Sequence, residues 1–201
     1  MAKKYNICLD IGGTKILGVI FDQDKNIVYR IKKKTKKDGD STDNVEKVII
    51  SVVEEMLEES GISKKEVAAI AAGAPGVIDQ AKGIILFSPN LPWRNYDIKS
   101  SMEKKFGVPF YIGNDVNVGV LGEYKYGAAR GYKDVVGFFV GTGMGGGVIE
   151  AAGQTFLEKI EAEVDRYCMP SIRDTVELKI AELGDDSNIY GALAMIEEMN
   201  K

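Results

Sequence analysis

Five glycines occupy seven positions in the stretch Phe138-Phe139-Val140-Gly141-Thr142-Gly143-Met144-Gly145-Gly146-Gly147-Val148-Ile149. The residues leading into it (Val135, Val136, Phe138, Phe139, Val140) are β-branched or aromatic and read as a buried strand. Without a Cβ, each glycine lets the chain take positive φ and bring its backbone N–H groups close to an anion. Successive N–H groups aimed into one concavity form an anion nest, which suits phosphate. A glycine-rich bend between strands also serves simply as a tight turn. An echo near the start favours the nest. Leu9-Asp10-Ile11-Gly12-Gly13-Thr14-Lys15-Ile16-Leu17-Gly18-Val19-Ile20 repeats the plan of apolar strand, Gly/Thr bend and apolar strand. Two such hairpins suggest two related lobes that hold one polyphosphate between them. Only the first carries a carboxylate, Asp10, placed to hold magnesium through water.

Composition removes several alternatives. A net charge of −4 over 201 residues gives no reason to expect nucleic acid or an anionic membrane as partner. Two distant cysteines, Cys8 and Cys168, fit a reducing cytoplasm with neither a disulfide framework nor a zinc cluster. No stretch is long and apolar enough to span a bilayer, and the N-terminus has no leader-like apolar region. The absence of histidine removes imidazole bases and Ser-His triads.

Along the chain, Tyr5–Asp10, Ile16–Phe21 and Ile27–Ile31 predict an antiparallel meander. The lysines at 32, 33, 34, 36 and 37 read as a solvated loop. Val45, Val48, Ile49, Val52, Val53, Met56 and Leu57 share one face of a helix that Gly61 ends. Ser63-Lys64-Lys65-Glu66 predicts a capping box, and Val67–Ala72 a small-residue strand. Val77–Phe87 predicts a hairpin or two extended pieces, Ser88–Trp93 a rigid loop, and Trp93 a plug at a domain edge. Asp97–Phe106 predicts a helix, Val108–Ile112 a strand, and the segment after Asn114-Asp115-Val116-Asn117 a further helix to Gly127. The expected class is α/β, with a mixed sheet flanked by helices.

Five motifs stand in fixed order: Asp10-Ile-Gly-Gly-Thr-Lys15, Gly73-Ala-Pro-Gly76, Ser88-Pro-Asn90, Asn114-Asp-Val-Asn117 and Gly141-Thr-Gly-Met-Gly-Gly-Gly147. In this order they resemble the ROK family (repressors, open reading frames, kinases), especially its bacterial glucokinase-type sugar kinases. The resemblance runs from about Tyr5 to Ile149, and the residues from Ala151 on look like the family's last segment: a helix, a strand (Val176–Ile180) and a terminal helix through Tyr190-Gly191-Ala192-Leu193. It implies the actin/hexokinase-like (ribonuclease H-like) fold of two lobes. The family's Glu-x-Gly-His sugar-binding element and cysteine-rich zinc motif are missing, as though an internal deletion, natural or engineered, had joined two glycine segments. One glycine run, with Gly145 and Gly146, then serves both the phosphate and adenosine sites. The second lobe is expected to shrink to a small βαβ unit: strand Val135–Val140, helix Gln154–Arg166 and strand Val176–Ile180. The lobes divide as 1–115 plus 188–201 and 116–187. So small a sheet must lean on the first lobe or on another copy, which makes a homo-oligomer one outcome.

The resemblance implies ATP-dependent phosphorylation of a hexose in the cytoplasm, impaired by the shortening, with no zinc. By the same resemblance, Gly12, Gly13, Thr14, Gly141, Thr142 and Gly143 cradle phosphates and Asp10 holds magnesium. Asp115 accepts the sugar hydroxyl's proton, Asn114 bonds a neighbouring hydroxyl, and Gly76 and Asn90 line the sugar side. Duller roles stand beside these: Asp115 as a helix N-cap, Asp10 as a turn starter, Lys15 on a phosphate or in solvent, Gly76 and Asn90 as turn makers. The alternative function is a non-catalytic kinase remnant that binds nucleotide or self-associates. A repressor role is not expected, since no helix-turn-helix precedes Tyr5.

Overall fold

The computed structural model describes residues 4–35, 42–137 and 177–199, together with 158, 160–163, 165, 166 and 173. Strands β1 (Tyr5–Ile11), β2 (Lys15–Phe21) and β3 (Ile27–Lys34) form the expected meander. The β2–β3 turn is closed by Asp22, whose Oδ1 accepts the N–H groups of Asp24 at 2.9 Å and Asn26 at 2.8 Å. Helix α1 (Thr42–Ser60) buries Val45, Val48, Ile49, Val52, Val53 and Met56, the stripe its spacing predicts, and Gly61 follows at φ 69°. The capping box at Ser63–Glu66 is present. β4 (Val67–Ala74) then returns parallel to β1, and β8 (Phe110–Asn114) lies parallel to β4. The five-stranded mixed sheet has the order β3-β2-β1-β4-β8.

Between β4 and β8, strands β5 (Val77–Asp79), β6 (Ile84–Phe87) and β7 (Arg94–Asp97) form a small antiparallel sheet. β7 is an addition to the sequence reading, which runs a loop into a helix there. Its pairing with β6 supplies the order that its polar residues do not signal. Trp93 is buried and stacks on Tyr96 at 5.7 Å, as a plug does. Helix α2 (Ile98–Phe106) is capped by Asp97, whose side chain accepts the Ser100 N–H, and stopped by Gly107 at φ 70°.

The strand alternation sorts the two faces. Ile7, Leu9, Ile11, Ile70 and Ala72 pack with α1 and α2. Cys8, Leu17, Val19, Ala69 and Ala71 pack with helices α3 (Asp115–Tyr126) and α4 (Ser187–Met199) through Val118, Ile189, Ala192, Leu193 and Ile196. Lys32, Lys33 and Lys34 are exposed but extend the edge strand β3 through pairing with β2, where a loop was expected; Lys33 pairs with Glu55 at 2.7 Å, and Lys36 and Lys37 lie outside the described residues.

The glycine run lies outside the described residues. Residues 135–137 and 177–180, where strands of a βαβ unit were expected, are not in strands, whereas the described positions between 158 and 166 are helical. Two isolated parallel strands have no further partners to satisfy their outer edges, which is the physical weakness of that arrangement.

Helices α3 and α4 approach unusually closely, because both use glycine at the crossing. A Cβ on Gly191 would lie 1.8 Å from the Val118 carbonyl oxygen, and one on Gly122 would lie 2.1 Å from that of Ser187. Gly191→Ala therefore has to push the helices apart. We expect it to lower stability by about 2–3 kcal/mol in urea denaturation. An unchanged midpoint would contradict this crossing.

Candidate functional site

Three parallel strands, β1, β4 and β8, end on the same edge of the sheet, where ligands of open α/β sheets bind. On β1 the alternation puts Asp10 on the α4 face, between the buried Leu9 and Ile11 of the opposite face. Its register partner on β4 is Gly73, whose own β8 neighbour is Gly113, the residue before Asn114. Asp115, the first residue of α3, packs its Cα over Gly73, 3.6 Å from where a Cβ would lie, so Asp10 and Asp115 both adjoin this glycine.

Burial pushes the Asp10 carboxyl up to about 6 from an ordinary 3.8. A hydrogen bond from Asn188 Nδ2 (3.1 Å) lowers it, while the charges of Asp115 and Asp185 raise it. Among the described residues, no three Cys, Asp or Glu side chains converge on a metal-sized space. The donor set at Asp10 thus fits a cation that keeps its own waters better than one in an all-protein cage.

The β1–β2 bend is held from two sides. The Gly12 N–H donates to the Lys15 carbonyl at 2.9 Å, and the buried Thr35 donates from Oγ1 to the Gly12 carbonyl (2.6 Å) and from its N–H to that of Thr14 (2.9 Å). The Gly12 N–H is thus committed to the turn, next to the half-buried Gly13 and the exposed Thr14. Lys15 is exposed at the start of β2. Asn90 sits against the bend, where a Cβ on Gly13 would meet its Cβ at 3.0 Å.

At the other side, Gly76 has φ 124°, and a Cβ there would come 2.2 Å from the Phe87 carbonyl oxygen. Only glycine fits. Its carbonyl accepts from Asn114 Nδ2 at 3.0 Å, and the same Nδ2 reaches Asp115 Oδ1 at 3.0 Å. The N-cap of α3 is Asn114, which accepts the Asn117 N–H at 3.2 Å; Asp115 is the first helical residue. Asp115 is half-buried, and its Oδ1 also accepts the Val116 N–H. Asn114 thereby holds Asp115 through its amino group, while its oxygen caps the helix. Gly141, Thr142, Gly143, Gly145 and Gly146 lie outside the described residues.

Sequence reasoning missed two residues. Glu123 is buried on α3, and its carboxylate accepts from the N–H groups of Ala128, Glu182 and Leu183 (2.9–3.0 Å) and from Ser187 Oγ (2.8 Å). Burial disfavours its charge, but these four donors outweigh it and hold the carboxyl below the ordinary range. Asn188, the next residue after Ser187, meets Asp10 across 178 positions of sequence. A glutamate amid Val118, Val120 and Leu121 was the one available hint; Asn188 gave none. An open groove of about 570 Å³ lined by Gly127, Arg130, Tyr132, Lys179 and Glu182 holds none of the site residues.

The raised Asp10 pKa has a stability consequence. The native state binds this proton more tightly than the unfolded chain, so the stabilisation is present below about pH 4 and lost as pH rises through about 6. Asp10→Asn keeps the acceptor for Asn188 without the buried charge. At pH 8 we expect it to be more stable than the parent by about 1–3 kcal/mol, the gap closing near pH 4, in urea titrations. Destabilisation at pH 8 would contradict the assignment.

Residues 6–152 match the family model described as "ROK family". A glucokinase of Thermotoga maritima is 37% identical over 150 residues, 74% of this chain and 45% of that protein. A xylose repressor of Bacillus subtilis is 31% identical over 148 residues, 72% of this chain and 37% of that protein. Among solved structures, a ROK family glucokinase from Streptomyces griseus in complex with glucose and AMPPNP superposes with a TM-score of 0.55 at 32% identity, covering 63% of this chain and 38% of that one. A ROK hexokinase from Thermus thermophilus shares the fold over 98% of this chain and 100% of its own, with a TM-score of 0.64 at 19% identity. The chain spans less than half the length of the curated glucokinase and repressor it matches. With its mixed sheet and flanking helices of actin/hexokinase-like type, the chain belongs to the ROK family.

Proposed function

We propose that this chain binds ATP with magnesium and transfers the terminal phosphoryl group to a hexose hydroxyl. One observation carries this reading: Asp10 at the end of β1 and Asp115 at the start of α3 both adjoin Gly73, at the edge where three parallel strands end. Phosphoryl transfer asks a protein chiefly for position and charge neutralisation. In this reading the Gly13 and Thr14 N–H groups meet phosphate, as do Gly141, Thr142 and Gly143 from the other lobe, with Gly145 and Gly146 toward the adenosine. Asp10 holds magnesium through water, and that ion, when bound, neutralises phosphate charge. Asp115 takes the proton of the sugar hydroxyl, while Asn114 and Gly76 fix its carboxylate. The division into lobes 1–115 plus 188–201 and 116–187, and a cytoplasmic location, belong to the same reading. Among the described residues no helix is long and apolar enough to cross a membrane.

A second reading, a non-catalytic module that binds nucleotide or self-associates, draws support from the chain's length relative to its kin and from apolar side chains left exposed on β5 and β6. Val77, Leu86 and Phe87 are 59%, 41% and 43% exposed. Coupled ADP release with glucose, mannose, fructose and N-acetylated hexoses separates the two. The kinase reading expects sugar-dependent turnover that Asp115→Asn lowers about 100-fold or more. Equal rates in parent and variant would end the base assignment. A dimer by sedimentation with no heat on adding ATP–magnesium would favour the module.

A further inference from the structure

We propose that Asn188 is a second acceptor for the hydrated magnesium at Asp10, its Oδ1 receiving a hydrogen bond from a metal-bound water. The proposal rests on the nucleotide–magnesium part of the kinase reading and not on turnover. Asn188 Nδ2 donates to Asp10 Oδ1 at 3.1 Å. The reverse orientation of the amide would set two acceptors against each other, so Oδ1 must face away from that contact. There it is buried and has no hydrogen-bond partner. Three other described buried atoms share this condition (Asn6 Oδ1, Ser88 Oγ and Trp93 Nε1), but none belongs to a side chain bonded to Asp10. A buried acceptor left unpaired costs stability and calls for a donor.

The surroundings say which donor. The charges of Asp115 and Asp185 act on Asp10 alongside the opposing charge of Lys32, and these two further carboxylates near Asp10 favour a cation there. Water on a divalent cation is polarised into a strong donor, suited to two neighbouring acceptors. The acceptor is also held in place: Glu123 binds Ser187 Oγ and the Leu183 N–H, and Arg30 pairs with Asp186 through both guanidinium nitrogens, fixing the start of α4.

Two substitutions distinguish an acceptor from a mere prop for Asp10. Asn188→Ala removes both roles, whereas Asn188→Asp keeps the acceptor and loses the donor. Binding of manganese–ADP, followed by the relaxation enhancement of water protons, reads the site without any sugar turnover. We expect Asn188→Ala to weaken binding about 10-fold and Asn188→Asp to stay within about threefold of the parent or bind tighter, with folding checked by melting temperature. Equal weakening in both variants would make Asn188 only a support for Asp10 and overturn the proposal. So would an unchanged Asn188→Ala, or a parent that binds no manganese–ADP at millimolar concentration. Sugar-dependent turnover with unaltered manganese binding in the variants would reject Asn188's role and leave the kinase reading standing.

Discussion

A carboxylate that burial disfavours sits at the centre of this structure. Strand β1 runs Ile7-Cys8-Leu9, apolar on both faces, and then places Asp10 where the alternation demands an inward residue. Among the described residues no cation forms an ion pair with it, although the charge of Lys32 acts on it. Its hydrogen-bond partner is a neutral amide, and Asp115 and Asp185 add like charge nearby. Such an arrangement lowers stability in the empty protein, and buried groups of this kind cluster where a ligand later compensates them. The rest of the edge is organised around it. Gly73 leaves the adjacent position bare, the bend after Ile11 turns away on a network from Thr35, and Asn114 draws Asp115 toward Gly76.

The final helix makes this edge possible. α4 comes from the far end of the sequence, yet it packs on the same sheet face as α3 and delivers Asn188 to Asp10. Its position is determined by backbone contact at Gly122 and Gly191 and by the buried Glu123 carboxylate, which gathers donors from both sides of the helix junction. A residue away from this edge can thus govern where the groups on it stand. The match covers less than half of the related glucokinase, yet the β1–β2 bend and the ends of β1, β4 and β8 all lie among the described residues.

Much of this was legible in the sequence because the signals are local. The α1 stripe, the Ser63–Glu66 box, the Gly107 stop and the meander follow from periodicity and turn chemistry over a few residues. Motif order singles out Asp10 and Asp115, and the fold brings both next to Gly73. Other features depend on tertiary contact. β7 exists because β6 pairs with it, the Gly12 N–H is consumed by a turn whose closure needs Thr35, and Glu123 and Asn188 acquire roles only when α4 arrives. The assignment of the cap to Asn114 and not Asp115 turns on a shift of one residue, which composition alone does not resolve.

The central claim is that one edge holds nucleotide phosphate at the β1–β2 bend and the acceptor alcohol beside Asp115. Backbone amide chemical shifts of the isotope-labelled chain report on this residue by residue. Addition of ADP–magnesium should move Gly13 and Thr14, and later addition of glucose should move Asn114 and Asp115. Shifts confined to Gly127–Tyr132 and the facing Lys179–Glu182, with Gly13 and Thr14 unmoved at saturating nucleotide, would contradict it.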